Sequence, residues 1–241
     1  MHSSEEYRER LNERLSIVHR RDAAPTTIDA LLLAAFLPKA EAACELGAGS
    51  GLISLLAASR DVIGTCDLVE REEALYGLAV RNIRENGLEG RLTAHLADVR
   101  EFDSGRRYGA VFANPPYRRA GEGRPAATHL RDVSRFERAG TVADFCQAAA
   151  HLLLPTGTFS LVFPTVRRDE LFRALSDAAL YPAEAVTVFP YPEGVPRLFL
   201  LRAGRTPTAL CERTFTLTVS KTDRRPTEAA EALYRDGVLS I

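Results

Sequence analysis

The segment Ala42–Gly51, with the sequence AACELGAGSG, decides the fold of this 241-residue chain. It joins a short apolar run to a turn that contains Gly47, Gly49 and Gly51, and a helical pattern of leucine and isoleucine follows. Because glycine tolerates dihedral angles that other residues avoid, the segment predicts a strand, a tight turn and a helix start. Ser54 stands where a dinucleotide-binding fingerprint has its third glycine. We therefore expect the turn to approach a ligand closely, with a pyrophosphate disfavoured.

Strand and helix patterns alternate on both sides of this segment, which predicts one parallel sheet with helices on both faces. The expected strands lie near residues 42–46, 65–69, 92–96, 109–113, 157–163, 185–189 and 197–202. The expected helices lie near residues 4–15, 26–36, 51–59, 71–86, 141–153 and 167–180. Thr141 and Asp144 have the spacing of a capping box at the start of the fifth helix. Ligands are expected outside the carboxyl ends of the strands.

Three carboxylates stand at or just after the ends of predicted strands. Glu45 begins the glycine turn, Glu70 ends the second strand of the sheet, and Asp98 follows the third. A carboxylate at the end of the second strand can accept both hydroxyls of a ribose, and Asp98 could accept from an adenine amino group. Two alternatives remain open: Glu70 could complement a helix dipole, and Asp98 could be an ordinary turn residue.

The segment Phe112–Tyr117, with the sequence FANPPY, suits a specific chemical problem. A conjugated amino group is a poor nucleophile, and two acceptors that hold its N–H groups can turn its lone pair toward an incoming methyl group. The side-chain carbonyl of Asn114 and a backbone carbonyl of Pro115-Pro116 are suitable acceptors. The prolines stiffen the loop, and Tyr117 offers a ring for stacking on a base. The structural alternative is a proline turn after a buried strand.

Taken together, these motifs resemble those of S-adenosylmethionine (SAM)-dependent amino-group methyltransferases. Over about residues 15–205 the arrangement is similar to the valine-tRNA adenine-N6 methyltransferases, whose Thr-Asp-Ala helix and Gly/Arg-rich segment correspond to Thr27–Ala30 and Gly121–Arg124. The resemblance implies an α/β fold with a doubly wound, Rossmann-like, seven-stranded sheet whose last strand is antiparallel, plus N-terminal helices. The expected regions are a helical extension (1–38), the methyltransferase domain (39–205) and a C-terminal extension of unassigned structure (206–241).

The resemblance also implies roles for individual residues and SAM as the cofactor. The catalytic residues would be Asn114, Pro115, Pro116 and Tyr117. The cofactor-binding residues would be Glu45, Gly47, Gly49, Gly51, Glu70, Asp98 and Asn114. The substrate-binding residues would be Tyr117, Arg118, Arg119 and Arg124. The four cysteines are scattered and have no histidine partner at metal-ligand spacing, so no metal site is expected.

Charge is distributed unevenly along the chain. The formal net charge is −1, so binding to a nucleic acid would need a local basic patch. Residues 118–140 carry six arginines against three acidic residues, and we interpret this segment as a flap that contacts phosphates. The alternative is a solvated loop whose arginines reflect genome composition. The absence of any apolar run of about 18 residues and the scattered cysteines lead us to expect a cytoplasmic protein without a membrane span, with a monomer as the default assembly state.

Methylation of adenine N6 in a tRNA loop is the function that the resemblance implies. A base must leave its stack before it can react, at a cost of a few kcal/mol that is smallest in loops. Protein-glutamine N5 and guanine-N2 rRNA methyltransferases share a similar Asn-Pro-Pro-Tyr loop and remain alternatives. A non-catalytic SAM-binding subunit is a third alternative, and the missing third glycine disfavours a nicotinamide oxidoreductase.

Overall fold

The computed structural model describes residues 6–11, 15–21, 27–117 and 140–240. The strands in this part of the chain are β1 (Glu6–Arg10), β2 (Ser16–Arg20), β3 (Ala40–Leu46), β4 (Ile63–Glu70), β5 (Leu92–Leu96), β6 (Tyr108–Ala113), β7 (Leu153–Pro164), β8 (Tyr181–Phe189), β9 (Leu198–Gly204) and β10 (Cys211–Thr216). The helices are α1 (Ile28–Phe36), α2 (Leu52–Ser59), α3 (Glu73–Glu85), α4 (Val142–Leu152), α5 (Arg168–Asp177) and α6 (Glu228–Asp236). A short 3₁₀ helix, Thr165–Arg167, connects β7 to α5.

The main sheet has the strand order β10-β8-β9-β7-β6-β3-β4-β5. Every neighbouring pair is parallel except the two pairs that include β9, which runs antiparallel to both β7 and β8. The predicted doubly wound sheet with an antiparallel seventh strand is therefore confirmed. The structure adds an eighth strand to it, because β10 in the C-terminal extension pairs with β8.

The sheet separates two apolar layers. Helices α1, α2 and α6 contribute to one layer, and helices α4 and α5 contribute to the other. Successive residues of β6 alternate between them: Ala110 and Phe112 belong to the first layer, and Val111 and Ala113 to the second. Because both faces of the central strands are covered, their sequences are continuous apolar runs rather than alternating patterns.

The prediction of a helix near residues 4–15 is wrong for the residues of this range that the structure describes. Residues 6–10 form β1, which pairs antiparallel with β2 so that Glu6 lies opposite Arg20. Long-range contacts stabilise this hairpin: Asn82 of α3 and Asn86, which directly follows α3, accept from the backbone N–H groups of Val18 and Ser16 at 2.8 and 3.1 Å. Such tertiary bonds override the local helical propensity of glutamate and arginine. The second predicted helix, near residues 26–36, is confirmed as α1.

The remaining predicted elements are confirmed with shifts of a few residues at their ends. The largest shifts are at β8, which begins at Tyr181 instead of near residue 185, and at β7, which begins at Leu153 instead of near residue 157. A proline interrupts this stretch, but a register shift between Tyr108 and Ala110 of β6 allows the early part of β7 to stay paired. The capping box at α4 is also confirmed, because Thr141 and Asp144 each accept from the other's backbone N–H.

Candidate active site

The segments that follow β3, β4, β5 and β6 emerge side by side at one edge of the sheet. Leu46 at the end of β3 lies opposite Val69 of β4 and Ala113 of β6, and Glu70 lies opposite Leu96 of β5. Since these strands are parallel and in register, the glycine turn, Glu70, the segment at residue 98 and the loop at residues 114–117 share the same edge. This is the place where open α/β sheets bind their ligands.

The glycine turn is tied to the neighbouring strand, and one of its glycines faces open space. Gly47, Gly49 and Gly51 have φ angles of +70°, +57° and +83°, which favour glycine. A side-chain carbon at Gly47 would lie 3.2 Å from the ring of Phe145, and one at Gly51 would lie 3.1 Å from Leu68. At Gly49 such a carbon would meet no atom of the described residues within 4 Å. Gly49 is therefore the position where a ligand can reach the backbone.

Glu70 fixes this turn in place. Its carboxylate is nearly buried and accepts from the backbone N–H groups of Gly49 at 2.8 Å and Glu72 at 2.9 Å. Burial raises the pKa of the Glu70 carboxyl above its ordinary value, and these backbone hydrogen bonds partly oppose that rise. A carboxylate has about four acceptor positions, so two bonds to the backbone leave capacity for ribose hydroxyls. The turn and Glu70 thus fit the adenosine part of SAM.

Glu45 lies beneath the turn and bonds to the first turn of α2. Its side chain is 1% exposed, and it accepts from the backbone N–H of Ser54 at 3.1 Å and from the Ser54 hydroxyl. Burial raises the pKa of Glu45 to about 8, so the carboxyl holds a proton at neutral pH. Ser54, which stands where a dinucleotide fingerprint has its third glycine, therefore hydrogen-bonds to Glu45. Direct cofactor binding by Glu45 stays a prediction.

Asp98 is engaged by two arginines. Its carboxylate accepts from Arg100 at 2.8 and 2.6 Å and from Arg71 at 3.3 Å. The bonds from Arg100 lower the pKa of Asp98, which remains charged. The backbone next to it is fixed, because the N–H of Ala97 donates to the carbonyl of Glu70 at 3.1 Å. Asp98 is therefore held beside Glu70, and its role toward adenine stays a prediction.

Asn82 is a site residue that the sequence analysis missed. Its side chain is fully buried and joins three elements: it accepts from Val18 N–H at 2.8 Å and donates to the carbonyls of Val18 and Ser50 at 3.2 and 3.0 Å. The N-terminal hairpin, α3 and the glycine turn thus share one amide group. One feature of the sequence could have indicated Asn82: it is a polar residue four positions after Leu78, on the helix face that α3 buries.

The loop after β6 places Asn114 and Tyr117 in contact. The Tyr117 hydroxyl donates to Asn114 Oδ1, and it also interacts with the carboxylate of Asp29 in α1. The edge of the Tyr117 ring lies against Phe163, with a centroid distance of 6.1 Å. Arg167 donates to the backbone carbonyl of Tyr117 at 2.8 Å. The acceptor oxygen that the sequence analysis assigned to a target amino group is therefore bonded to Tyr117 in this state.

Asp29 belongs to the predicted Thr-Asp-Ala helix start, and the structure connects it to the loop after β6. Burial raises the pKa of Asp29, and burial together with the Asp29 charge raises that of the Tyr117 hydroxyl. This contact could not be predicted from the sequence, because the two segments are far apart in the chain. Pro115 and Pro116 lie in the described loop. Arg118, Arg119 and Arg124, and with them the predicted flap, lie outside the described residues.

Two further observations concern the described residues only. They contain no helix that is both long and apolar enough to cross a membrane. They also contain no group of three or more histidine, cysteine, aspartate or glutamate side chains arranged to hold a metal ion.

Comparisons with known proteins agree with this geometry. The family model described as methyltransferase small domain matches residues 26–171. A tRNA1(Val) (adenine(37)-N6)-methyltransferase from Actinobacillus succinogenes is 33% identical over 157 residues, which is 63% of this chain and 66% of that relative, slightly under two thirds of its length. A relative of the same name from Parabacteroides distasonis is 24% identical over 233 residues, covering 95% of this chain and 97% of the relative.

The solved structures support the fold. A predicted O-methyltransferase from Agrobacterium tumefaciens superposes with a TM-score of 0.70 at 20% identity, covering 89% of this chain and 98% of the other. The family model spans more than half of the chain and includes the glycine turn, Glu70, Asp98 and the loop after β6. The chain therefore belongs to the methyltransferase small domain family and is a SAM-dependent methyltransferase.

Proposed function

We propose that this protein methylates an exocyclic amino group, namely N6 of an adenine in tRNA. The observation that carries the proposal is the position of Asn114, whose side-chain carbonyl follows β6 at the same edge as the glycine turn and Glu70. A group that can accept from an amine thus adjoins the place where the methyl donor fits. The names of the two relatives support adenine N6 of tRNA as the target.

The chain's own residues supply positioning and polarity. SAM, when bound, would supply an activated methyl group: its S–CH3 bond breaks as the N–CH3 bond forms, SAH leaves, and the amine loses its proton after it has become cationic, so no strong base is needed before attack. Asn114 Oδ1 and a backbone carbonyl of Pro115-Pro116 accept the two N–H groups of the target and fix the direction of its lone pair. The target must first replace the Tyr117 hydroxyl on Asn114 Oδ1. Tyr117 then offers its ring to the base, a contact worth about 1–3 kcal/mol.

The compartment and the assembly state are part of the proposal. Cys44, Cys66 and Cys146 are free thiols buried in the core, which suits a reducing compartment such as the cytoplasm. We take a monomer as the default assembly state. Light scattering on the purified protein should give a mass near 26.4 kDa, and a dimer mass would contradict this part.

The test is methyl transfer from labelled SAM to separated fractions of unmodified tRNA, rRNA, DNA and protein. We expect label in tRNA, and almost none when Asn114→Ala replaces the wild type. Label in protein would favour a glutamine target, and label in rRNA would favour guanine N2. Binding of S-adenosylhomocysteine (SAH) without transfer to any fraction would indicate a non-catalytic SAM-binding subunit.

A further inference from the structure

A continuous surface extends from the loop after β6 to the C-terminal extension. Arg167 donates to the Tyr117 carbonyl, and Thr165 next to it donates through its N–H to the carbonyl of Arg197 at 2.9 Å and through its hydroxyl to that of Pro196 at 2.6 Å. Further along, Thr218 donates to the carbonyl of Pro190 through both its N–H and its hydroxyl. We call this surface, formed by residues 165–167, 190–197 and 217–226, the ledge.

All parts of the ledge lie at the edge of the sheet that carries the active site. The ledge follows the carboxyl ends of β7, β8 and β10 and precedes the amino end of β9, which runs the opposite way. These ends adjoin the carboxyl end of β6, where Asn114 lies. A long substrate whose reactive base reaches Asn114 can therefore continue along the ledge.

Among the described residues, the ledge carries an excess of positive charge, with three unpaired cations against one exposed and unpaired carboxylate, that of Glu193. Arg197, Lys221 and Arg224 are exposed, and none of them forms an ion pair with another described residue. Other cations nearby are neutralised, since Arg225 pairs with Asp223 at 2.7 Å and Arg167 pairs with Glu170. Three such cations on one surface give it a local positive charge in a protein whose formal net charge is −1.

The turns that carry these cations are ordered by their own hydrogen bonds. Val219 N–H donates to the carbonyl of Arg225 at 3.0 Å, and Ser220 N–H donates to that of Asp223 at 3.1 Å, which closes the turn around Lys221 and Arg224. In the other turn, Gly194 N–H donates to the carbonyl of Tyr191 at 2.8 Å. Positive side chains on closed turns need less ordering when they bind a partner.

Exposed apolar side chains lie among the charges. Val166 is 91% exposed, Val195 is 78% exposed and Val219 is 46% exposed. Each lies within the hydrogen-bonded segments of the ledge, so these valines are held at the surface beside the cations. A partner that offers both negative groups and apolar faces would match this combination.

We propose that the ledge is the docking surface for the RNA backbone that flanks the target base. Phosphates match the uncompensated cations, and sugars and unstacked bases offer faces that can cover the valines. This inference rests on the proposed function and deepens it, because it assigns RNA recognition to the C-terminal extension. It is independent of the predicted flap at residues 118–140.

The test compares two double variants that remove the same charge. Lys221→Ala with Arg224→Ala removes two cations from the ledge. The control variant, Lys39→Ala with Arg84→Ala, removes two exposed cations that form no ion pair with another described residue. Lys39 directly precedes β3, and Arg84 lies in the last turn of α3. Both control positions are at the opposite edge of the sheet. The affinity for fluorescently labelled, unmodified tRNA is measured by anisotropy at several salt concentrations.

We expect the ledge variant to bind tRNA roughly tenfold more weakly and to lose about 0.7–0.9 of the log–log salt slope for each phosphate contact removed. The control variant should match the wild type. Val195→Ser should weaken binding less and leave the slope unchanged, because it removes no charge. SAH affinity should be the same in all variants, and an unchanged SAH affinity also verifies that a variant is folded. If an alanine variant binds SAH more weakly, the same position is tested with Gln instead of Ala.

Three outcomes would contradict the proposal that the ledge binds RNA: an equal loss of tRNA affinity in both double variants, no loss of tRNA affinity in either, or a wild-type protein that binds no tRNA. The proposed function is judged separately by methyl transfer. Wild-type transfer to tRNA together with an unaffected ledge variant would reject the ledge alone. Salt-dependent tRNA binding without transfer would reject the function and leave the ledge in place.

Discussion

The two halves of the active-site edge differ in where their polar groups find partners. Around the glycine turn, Glu70, Glu45 and Asn82 are nearly or fully buried and bond to other parts of the chain. Beyond β6, the side chain of Asn114 accepts from Tyr117, and cations such as Lys221 form no ion pair with another described residue. The half that we assign to the cofactor is thus built in advance, whereas the half that we assign to the target must release Asn114 Oδ1 from Tyr117 before it can bind a substrate.

This difference predicts that variants will separate into two classes. Substitutions around the glycine turn should change cofactor affinity, because they disturb a network that exists before binding. Substitutions beyond β6 should change transfer rate or RNA affinity while cofactor binding stays constant. A variant that changed both to the same extent would contradict the division.

The largest effect is expected for Asn114→Ala. It removes an acceptor that acts when the target amine is aligned, and the loss of one such preorganised group typically lowers the rate by about 10²-fold. SAH affinity measured by calorimetry should stay within about twofold, as expected for an interaction made in the transition state. Asn114→Asp keeps an acceptor oxygen and should retain more activity. A parallel loss of rate and SAH affinity would show that Asn114 is structural.

The next largest effect is expected for Glu70→Ala, which removes the carboxylate that we assign to the ribose and leaves Gly49 N–H and Glu72 N–H without their partner. Bonds to charged groups contribute about 1.5–3 kcal/mol, so SAH affinity should fall roughly 10- to 100-fold. Glu73→Ala is the matched control, because Glu73 is exposed in the first turn of α3. Equal SAH affinities for the two variants would refute the ribose assignment.

Tyr117 tests the target half with two substitutions. Tyr117→Ala should lower kcat/KM for tRNA roughly tenfold, because stacking on a base contributes about 1–3 kcal/mol. Tyr117→Phe keeps the ring and removes the hydroxyl that occupies Asn114 Oδ1, so its activity should stay within about threefold of the wild type. If Phe were as damaging as Ala, the hydroxyl and not the ring would be the functional group.

Asn82 and Asn86 form a matched pair for the cofactor half. Both bond to the backbone of β2, but only Asn82 also donates to Ser50 in the glycine turn. Replacing either by Ala should lower the free energy of unfolding by about 1–3 kcal/mol. Only Asn82→Ala should weaken SAH binding, by about fivefold. Similar SAH affinities in both variants would show that the hairpin and the turn are not coupled.

The smallest expected effect is a change in the pH dependence of stability. The pKa of Glu45 rises from 4.5 to about 8 on folding, so between these values the folded chain holds the additional proton. Stability therefore falls as pH rises through this window. Glu45→Gln holds no titrating proton and should give a flatter profile in urea unfolding between pH 5 and 8. An unchanged profile would mean that Glu45 is not buried as a neutral group.

The sequence predicted most of the sheet because its strands are apolar runs punctuated by glycine and proline. It also predicted where Glu70, Asp98 and Asn114 emerge, since strand ends determine those places. It failed for β1, where bonds between β2 and α3 decide the structure. It also missed Asn82 and the contact of Asp29 with Tyr117, because both join segments that are distant in the chain.

The most direct test of the central claim is nucleoside analysis by mass spectrometry after reaction of the wild-type protein with SAM and unmodified tRNA. We expect N6-methyladenosine, with about 10²-fold less of it formed in the same time by Asn114→Ala. N2-methylguanosine, or methyl groups recovered only as N5-methylglutamine in added protein, would contradict it.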